Sequence, residues 1–545
     1  MEILNLSLPA TNRFATEYIA QTEDIQRFFH YRYNDSSDYQ ARLNELNNRS
    51  FMREELSSYI NSYMEKFPSS DKVEESLAKL KEDNSAVVIG GQQAGILTGP
   101  LYTIHKVISI ISLAKQKEKE LGIPIVPVFW IAGEDHDYQE VNHVYVENRK
   151  HLMEKRVYPE KILEKNMVSN IELDIEICLK WAEEVIESFG ETEFTNELLE
   201  FVHEAINRSN TFVDFFSYII MQLFKEYGLL LVDSGDENFR SLEKEILKKQ
   251  VNAAVEITNA VISQQKSVRD NGYSNMIELT DNAANLFYYD EVYKERILLE
   301  YNQAERKFSG KDGVISFSHE ELLRVAENEP ERLSNNVVTR PLTQEWLFPT
   351  LAFIAGPGEI AYWAELKQVF DQFNMKMPPL VPRLNFTIIE RPVDSYMEEL
   401  GLELEDTLQH GTSEKKQAYL DSIRSKERDE IFSAIKEQLS DQYRLLELHT
   451  RNEDKGMLPM LKKNETIVLN QIDFIADKLE LSNQKKHDTM IRKYERIDSA
   501  LTPGGAPQER VWNGLYYLNL YGMQFYSQIL EHHWSFDGTH KIIKV

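Results

Sequence analysis

Residues 86–143 carry the pattern that most narrows the folds open to this chain. Residues 86–89 form a short apolar run closed by Gly90 and Gly91, the mark of a buried strand. Over residues 102–121, apolar side chains recur at Ile104, Val107, Ile108, Ile111 and Leu113 or Ala114, one face of a helix. Residues 123–131 turn apolar and β-rich again and stop at Gly133. Strand, loop, helix, strand is a βαβ unit, whose long crossover joins parallel neighbours. The expected fold class is therefore α/β, with a Rossmann-like parallel sheet at its core. Ligands of open parallel sheets lie beyond the carboxyl ends of the strands. Both strand ends here carry polar chemistry: Gln92, Gln93, Thr98, Gly99 and His105 after the first, Glu134, Asp135, His136 and Asp137 after the second.

The loop 90–100 suits an anion. Its glycines let backbone approach a ligand, and the following helix offers free amides and a partial positive charge. Gln92 and Gln93 each donate and accept, which fits a carboxylate or a sugar hydroxyl. The plain alternative is a βα turn with incidental glutamines. The run 134–137 could hold a general base for an amine, or a divalent metal. Its plain alternative is a charged loop capping the next segment. Successive residues of an extended run point opposite ways, so the four cannot share one centre. Asp135 or Asp137, with His136, is the expected functional set. Zinc lacks a third ligand at regular spacing.

Residues 356–361, GPGEIA, match G-x-G-x-x-A. Pro357, and a next strand ending at Arg383 where a ribose-binding acid is wanted, argue against NAD. A tight turn carrying Glu359 near the cleft is expected instead. No P-loop motif occurs. Arg340, Arg383 and Arg510 lie at strand ends or turns, where their forks suit carboxylates and phosphates; each could equally pair with a neighbouring acid. His532, His533 and His540 are read as structural.

Composition excludes some classes. A net charge of −28 lacks the basic footprint of a nucleic-acid binder and disfavours anionic membranes. One cysteine, Cys178, allows no internal disulfide and fits a reducing cytoplasm. The first residues, MEILNLSLPA, predict no secretory leader, and no apolar run nears the ~20 residues of a membrane span.

In chain order, residues 1–145 read as N-terminal helices and the first half of the core. Residues 146–214 read as a first insertion, with a strand expected over 171–178 and a helix over 181–189. Residues 215–269 continue the core: a helix over 215–227, a strand over 229–232 and one long helix over 242–269. Residues 270–333 read as a second, β-rich insertion. Residues 334–400 complete the core, with strands expected over 337–340, 351–355 and 378–383 and a helix over 361–373. Residues 401–502 carry narrow apolar stripes, through Leu420, Ile423, Ile431, Ile435, Leu439 and Leu446, then Val468, Ile472, Ile475, Leu479, Met490 and Ile497. Narrow stripes predict a helical coiled-coil hairpin, turning at 452–456 and pairing two chains as a homodimer; the plain alternative is two helices packed flat on the core. Residues 503–545 return, with an aromatic helix over 512–534 and a terminal strand.

The blocks GQQAGILTGPLYTIHK (91–106) and PVFWIAGEDHDYQEVNH (127–143) resemble the BshC family of bacillithiol synthesis. The likeness continues through Thr339-Arg340-Pro341, Gly356-Pro357-Gly358-Glu359 and Pro507-Gln508-Glu509-Arg510 and so covers most of the chain. The first loop is also loosely similar to the HIGH-type loop of class I tRNA synthetases, with glutamines for histidines. The family resemblance implies a ligase. It joins the carboxyl group of cysteine to the amine of glucosaminyl-malate, the last step of the pathway. A free carboxylate is a poor acyl donor, so ATP or ADP is the expected cofactor, though no motif proves it; the need for a divalent metal stays open. On this reading Glu134, Asp135, His136 and Asp137 are catalytic. Gln92, Gln93, Thr98, Gly99, His105, Arg340 and Glu359 bind substrate, and Arg383, Asn385 and Arg510 bind nucleotide. The alternatives are a non-catalytic Rossmann-like scaffold and a nucleotidyl transferase of the HIGH-loop type.

Overall fold

The computed structural model describes residues 1–149, 151–160, 166–290, 292, 294–310 and 313–545. They form two compact units: residues 1–147, 153–388 and 508–545, and residues 148–152 with 389–507.

The first unit is built on five parallel strands, β1 (Ala86–Gln92), β2 (Ile125–Ile131), β3 (Leu230–Asp233), β4 (Thr350–Ala355) and β5 (Leu380–Pro382). Their order is β5–β4–β1–β2–β3. Every residue of β2, β3, β4 and β5 is buried, as in a sheet covered on both faces. That is why these strands read as unbroken apolar runs and not as alternations. α1 (Tyr102–Leu121) is the crossover from β1 to β2 and buries Ile104, Val107, Ile108 and Ile111. The strand order reverses at β1, whose neighbours are β2 on one side and β4 on the other. A crevice opens at such a switch point, beyond the carboxyl ends of β1 and β4.

An antiparallel five-stranded sheet, which includes Ala283–Asp290, Glu295–Asn302 and Leu333–Asn335, has a small core of its own around Leu286, Leu299 and Phe308. Glu2–Leu6 pairs antiparallel with His540–Lys544, bringing the two ends of the described chain together.

Several local expectations are corrected. Residues 171–178 are not a strand: Asp174 accepts a hydrogen bond from the Ile177 amide and starts the helix Ile175–Ser188. The apparent alternation mixed two residues of a loop with the first helical turn. Residues 337–340 are not a strand either. Asn336 Oδ1 accepts from the amides of Val338 and Thr339, at 2.9 and 3.1 Å, and turns the chain into the helix Thr339–Leu347. The helix expected over 242–269 breaks at Ala253, that over 361–373 becomes Pro357–Trp363 and Lys367–Gln372, and that over 512–534 is divided at Gly522. The N-terminal strand Glu2–Leu6 was not expected among helices.

In the second unit, Lys426–Glu453 and Leu458–Lys486 form a hairpin around Asp454, whose carboxylate accepts from the Gly456 amide. Lys436 pairs with Asp473 at 2.8 Å, and Tyr443 donates to Asn464 at 2.6 Å, so the helices run antiparallel. Neither helix has a buried residue, and Ile431, Leu446, Ile475 and Leu479 are about half exposed. No helix among the described residues is long and apolar enough to cross a membrane.

Candidate functional site

The loop after β1 is tightly wound. Gly95 lies against Gly99 so closely that a Cβ at 95 would stand 2.7 Å from the Gly99 Cα. Leu97, Thr98 and Gly99 take φ of +50°, +72° and +67°, a run that only Gly99 adopts without strain. Such strain persists only where the surroundings over-determine it. Here the Asn513 amide does so, donating to the carbonyls of Leu97 and Gly99 at 2.8 Å each. The loop delivers the chain into α1, whose Tyr102 and Lys106 face the crevice.

That crevice holds a cavity of about 460 Å³, walled by the ends of β1, β2 and β4, the start of α1 and the segment carrying Arg510. Gln92, Gln93, Asp135, Arg340, Glu359, Arg383 and Arg510 all line it, Arg340 from a helix where a strand end was expected. Gln93 Nε2 donates to Asp135 Oδ2 and Glu140 Oε2, both at 2.7 Å, and so bridges the loops after β1 and β2. Lys106, 1% exposed, donates to the Gly91 carbonyl at 2.7 Å and to Glu359 Oε2 at 2.5 Å. Burial lowers its pKa, and the Glu359 carboxylate opposes that shift. Glu359 also accepts from the Gly356 amide at 2.7 Å, capping the helix Pro357–Trp363. The GPGE turn is thus a helix cap that aims a carboxylate at Lys106.

The guanidinium groups differ. Arg340 donates to the Tyr362 hydroxyl at 2.9 Å and to Gln344 at 3.2 Å. Neither Arg340 nor the exposed Arg510 has a carboxylate partner within ion-pair distance among the described residues. Arg383 is 7% exposed and pairs with Glu509 at 2.6 Å. Arg383 Nε and the Trp130 indole nitrogen are buried donors without a partner. A wall with two guanidinium groups outside any ion pair among the described residues fits an anion rich in acceptors.

The acidic run after β2 divides as its extended backbone requires. Asp135 lines the cavity. Glu134 turns inward to Arg240 at 2.6 Å, and Arg240 also meets Glu243 at 3.1 Å. Burial pushes the Glu243 carboxyl up to about 7, against the pull of Arg240. The His136 ring stands edge-on to Phe287 of the antiparallel sheet, with Arg296 Nη1 3.4 Å from its Nδ1. Asp137 is exposed and outside the cavity lining. Thr98 and His105 are buried behind the loop, not in the cavity, and Gly99 forms the turn. Asn385 reaches the site only through its bond from Arg383 at 3.2 Å.

Beside this loop, burial pushes the Asp233 carboxyl at the end of β3 up to about 7. It accepts from Ser169 Oγ at 2.7 Å, and the Ser169 amide donates to Gly133 at 3.0 Å. Gly133 has no room for more: a Cβ there would stand 2.0 Å from Ser169 Oγ and 2.1 Å from Asp233.

Sequence reasoning missed Tyr102, Lys106, Trp130, Glu140, Tyr362, Glu509 and Asn513. Tyr102 and Lys106 are four apart on one helix, a spacing that puts them on one face. Among the described residues no group of three or more His, Cys, Asp or Glu side chains is placed to hold a metal ion.

Comparison with known proteins covers nearly the whole chain. Residues 1–384 match the family model described as bacillithiol biosynthesis BshC, N-terminal Rossmann-like domain. Residues 386–545 match bacillithiol biosynthesis BshC, C-terminal coiled-coil domain. Proteins named "Putative cysteine ligase BshC" are similar over 100% of both chains. That of Geobacillus sp. (strain WCH70) is 42% identical, that of Geobacillus thermodenitrificans (strain NG80-2) 43%, and that of Bacillus cereus (strain AH187) 41%.

Proposed function

Because the chain belongs to the BshC family of bacillithiol biosynthesis, we propose that it is a cysteine ligase. It forms the amide between the carboxyl group of cysteine and the amine of glucosaminyl-malate, completing the thiol in the cytoplasm. The observation that carries this reading is the cavity at the β1–β4 switch point, where Arg340 and Arg510, neither of them in an ion pair among the described residues, share a wall with the Asp135 carboxylate. Glucosaminyl-malate brings carboxylates to such cations. Its amine attacks only when neutral, and Asp135, oriented by Gln93 Nε2 at 2.7 Å, is the base that takes its proton. Gln92 and Glu359 complete the polar wall around the substrate.

ATP, when bound, supplies the leaving group that turns a carboxylate into an acyl donor. Arg383 and Arg510, both at the cavity wall, would hold its phosphates. Glu134, His136 and Asp137 support the loop that carries Asp135.

The second unit is proposed to pair two chains into a homodimer. The hairpin cannot cover Ile431, Leu446, Ile475 and Leu479 by itself, and two-fold pairing closes such a surface.

The test is direct. Pure protein incubated with cysteine, glucosaminyl-malate and ATP should yield the thiol product with AMP or ADP. Gln93→Ala and Asp135→Asn should each remove product while moving the thermal midpoint little, since both side chains face the cavity. No product from wild-type protein refutes the ligase reading. Nucleotide consumption without an amide supports a nucleotidyl transferase, and binding without turnover a scaffold.

A further inference from the structure

Behind the cavity wall, Glu509 is held from two sides. Its Oε1 accepts from Arg383 Nη2 at 2.6 Å, and its Oε2 lies 3.1 Å from His105 Nδ1. These residues come from the end of β5, from α1 and from the C-terminal return segment, His105 and Glu509 being 404 positions apart. An ionised carboxylate only accepts, so His105 carries its proton on Nδ1. Its Nε2 is buried and has no partner among the described residues. Burial opposes the Glu509 charge, yet Arg383 and His105 hold its carboxyl down at about 2.

We infer that Glu509, braced by His105, is the positioning residue that aims the Arg383 guanidinium at an anion in the cavity. The guanidinium is oriented from several directions. Nη2 meets Glu509 and Asn385, Nη1 donates to the Tyr102 carbonyl at 3.2 Å, and the group sits 5.4 Å from the centre of the Tyr102 ring. Its Nε–H is left without a partner. The residue after Glu509 is Arg510, unpaired at the cavity wall. One short turn therefore sets two guanidinium groups, one by contact and one directly. The anion is a carboxylate or a phosphate, because either accepts from guanidinium N–H groups.

The inference rests on the ligase reading only for which anion is held. Calorimetric titration of L-malate and, separately, ATP into wild type and Glu509→Gln measures binding without turnover. Affinity for at least one probe should fall about tenfold or more, the size expected for losing a charged hydrogen bond. A loss for malate identifies the carboxylate as the bound group, and a loss for ATP the phosphate. Equal affinities in both proteins, or no binding of either probe to wild type, overturn the inference. Adding Glu509→Gln to Arg383→Gln should cost nothing further, because the fork is already gone; a second tenfold loss would mean that Glu509 acts elsewhere. Should Glu509→Gln fail to fold by circular dichroism, His105 carries the test. Affinity lost in His105→Leu should recover by at least half in His105→Asn, whose amide replaces the Nδ1–H donor, and equal losses overturn the inference. Wild type that shows this binding pattern but forms no product refutes the ligase reading and leaves the positioning role standing.

Discussion

The rim of the parallel sheet and the helical hairpin use charge in opposite ways. At the rim, Glu134, Arg240, Glu243, Arg383 and Glu509 are buried, and each is met by a partner of opposite sign within 3.1 Å. In the hairpin the charges are on the surface and apolar side chains are left half exposed between them. Buried pairs of this kind cost desolvation and return little net stability, but removing one partner is severe. Exposed pairs such as Lys436–Asp473 contribute little either way. The difference teaches where each region is specified: the rim by contacts within its own unit, the hairpin by whatever covers its apolar face.

The largest effect should come from breaking the rim. Arg240→Met removes the cation that Glu134 and Glu243 both contact, which should cost about 5 kcal/mol, the upper end for a broken buried pair, because two acids lose one partner. Urea unfolding followed by circular dichroism measures it, and a loss below about 1 kcal/mol would erase the contrast with the hairpin.

Next is the hairpin face. Ile475→Glu combined with Leu479→Glu should weaken the dimer by about 3–4 kcal/mol while leaving helicity intact. Sedimentation at several concentrations reads the first, and circular dichroism the second. Wild type that sediments as a monomer at micromolar concentration would end the proposal of a homodimer.

A smaller effect returns to the rim. Asp233 titrates near 7 in the folded chain and near its ordinary 3.8 when unfolded, so the folded state binds the proton more tightly. Its contribution to stability is present below pH 4 and is lost as pH rises from about 4 to 7. Asp233→Asn should flatten that decline, shrinking the change in stability between pH 5 and 8 by roughly 2 kcal/mol. An unchanged pH profile would show that Asp233 is ionised throughout.

The smallest is Leu448→Gln near the hairpin tip. Leu448 is 61% exposed, and the change should fall within about 0.5 kcal/mol for both folding and dimerisation. A larger loss of dimer affinity would extend the covered face to the tip.

Much of this organisation was legible in the chain itself. The βαβ unit was, because β1 and β2 are buried on both faces and flanked by glycine. The hairpin was, because its stripes run through segments free of Gly and Pro. Polar side chains at strand ends do line the cavity when they hold the last strand residue or the next one, as Gln92 and Gln93 do. His105 shows the limit: it lies one residue from Lys106 on α1, yet that single step rotates it from the cavity wall to the buried face. Which of residues 134–137 would face the cavity depended on Arg240 and Phe287, far away in sequence. Glu509 and Asn513 were invisible for the same reason, since their partners lie across the fold. The strand expected over 171–178 failed because a cap, Asp174, overrode a period of two.

The grip of Asn513 on the strained loop has a consequence for synthesis. Asn513 follows Leu97 by 416 residues. At ~5–20 residues per second, a ribosome needs roughly 20–80 s to deliver it after the loop has emerged. Throughout that interval Leu97 and Thr98 have no amide to hold them at positive φ, and Arg383 has no Glu509. A nascent chain can therefore complete its parallel sheet well before the wall of the switch-point cavity is closed, and a fragment truncated ahead of Gln508 should fold its strands yet lack the proposed anion site.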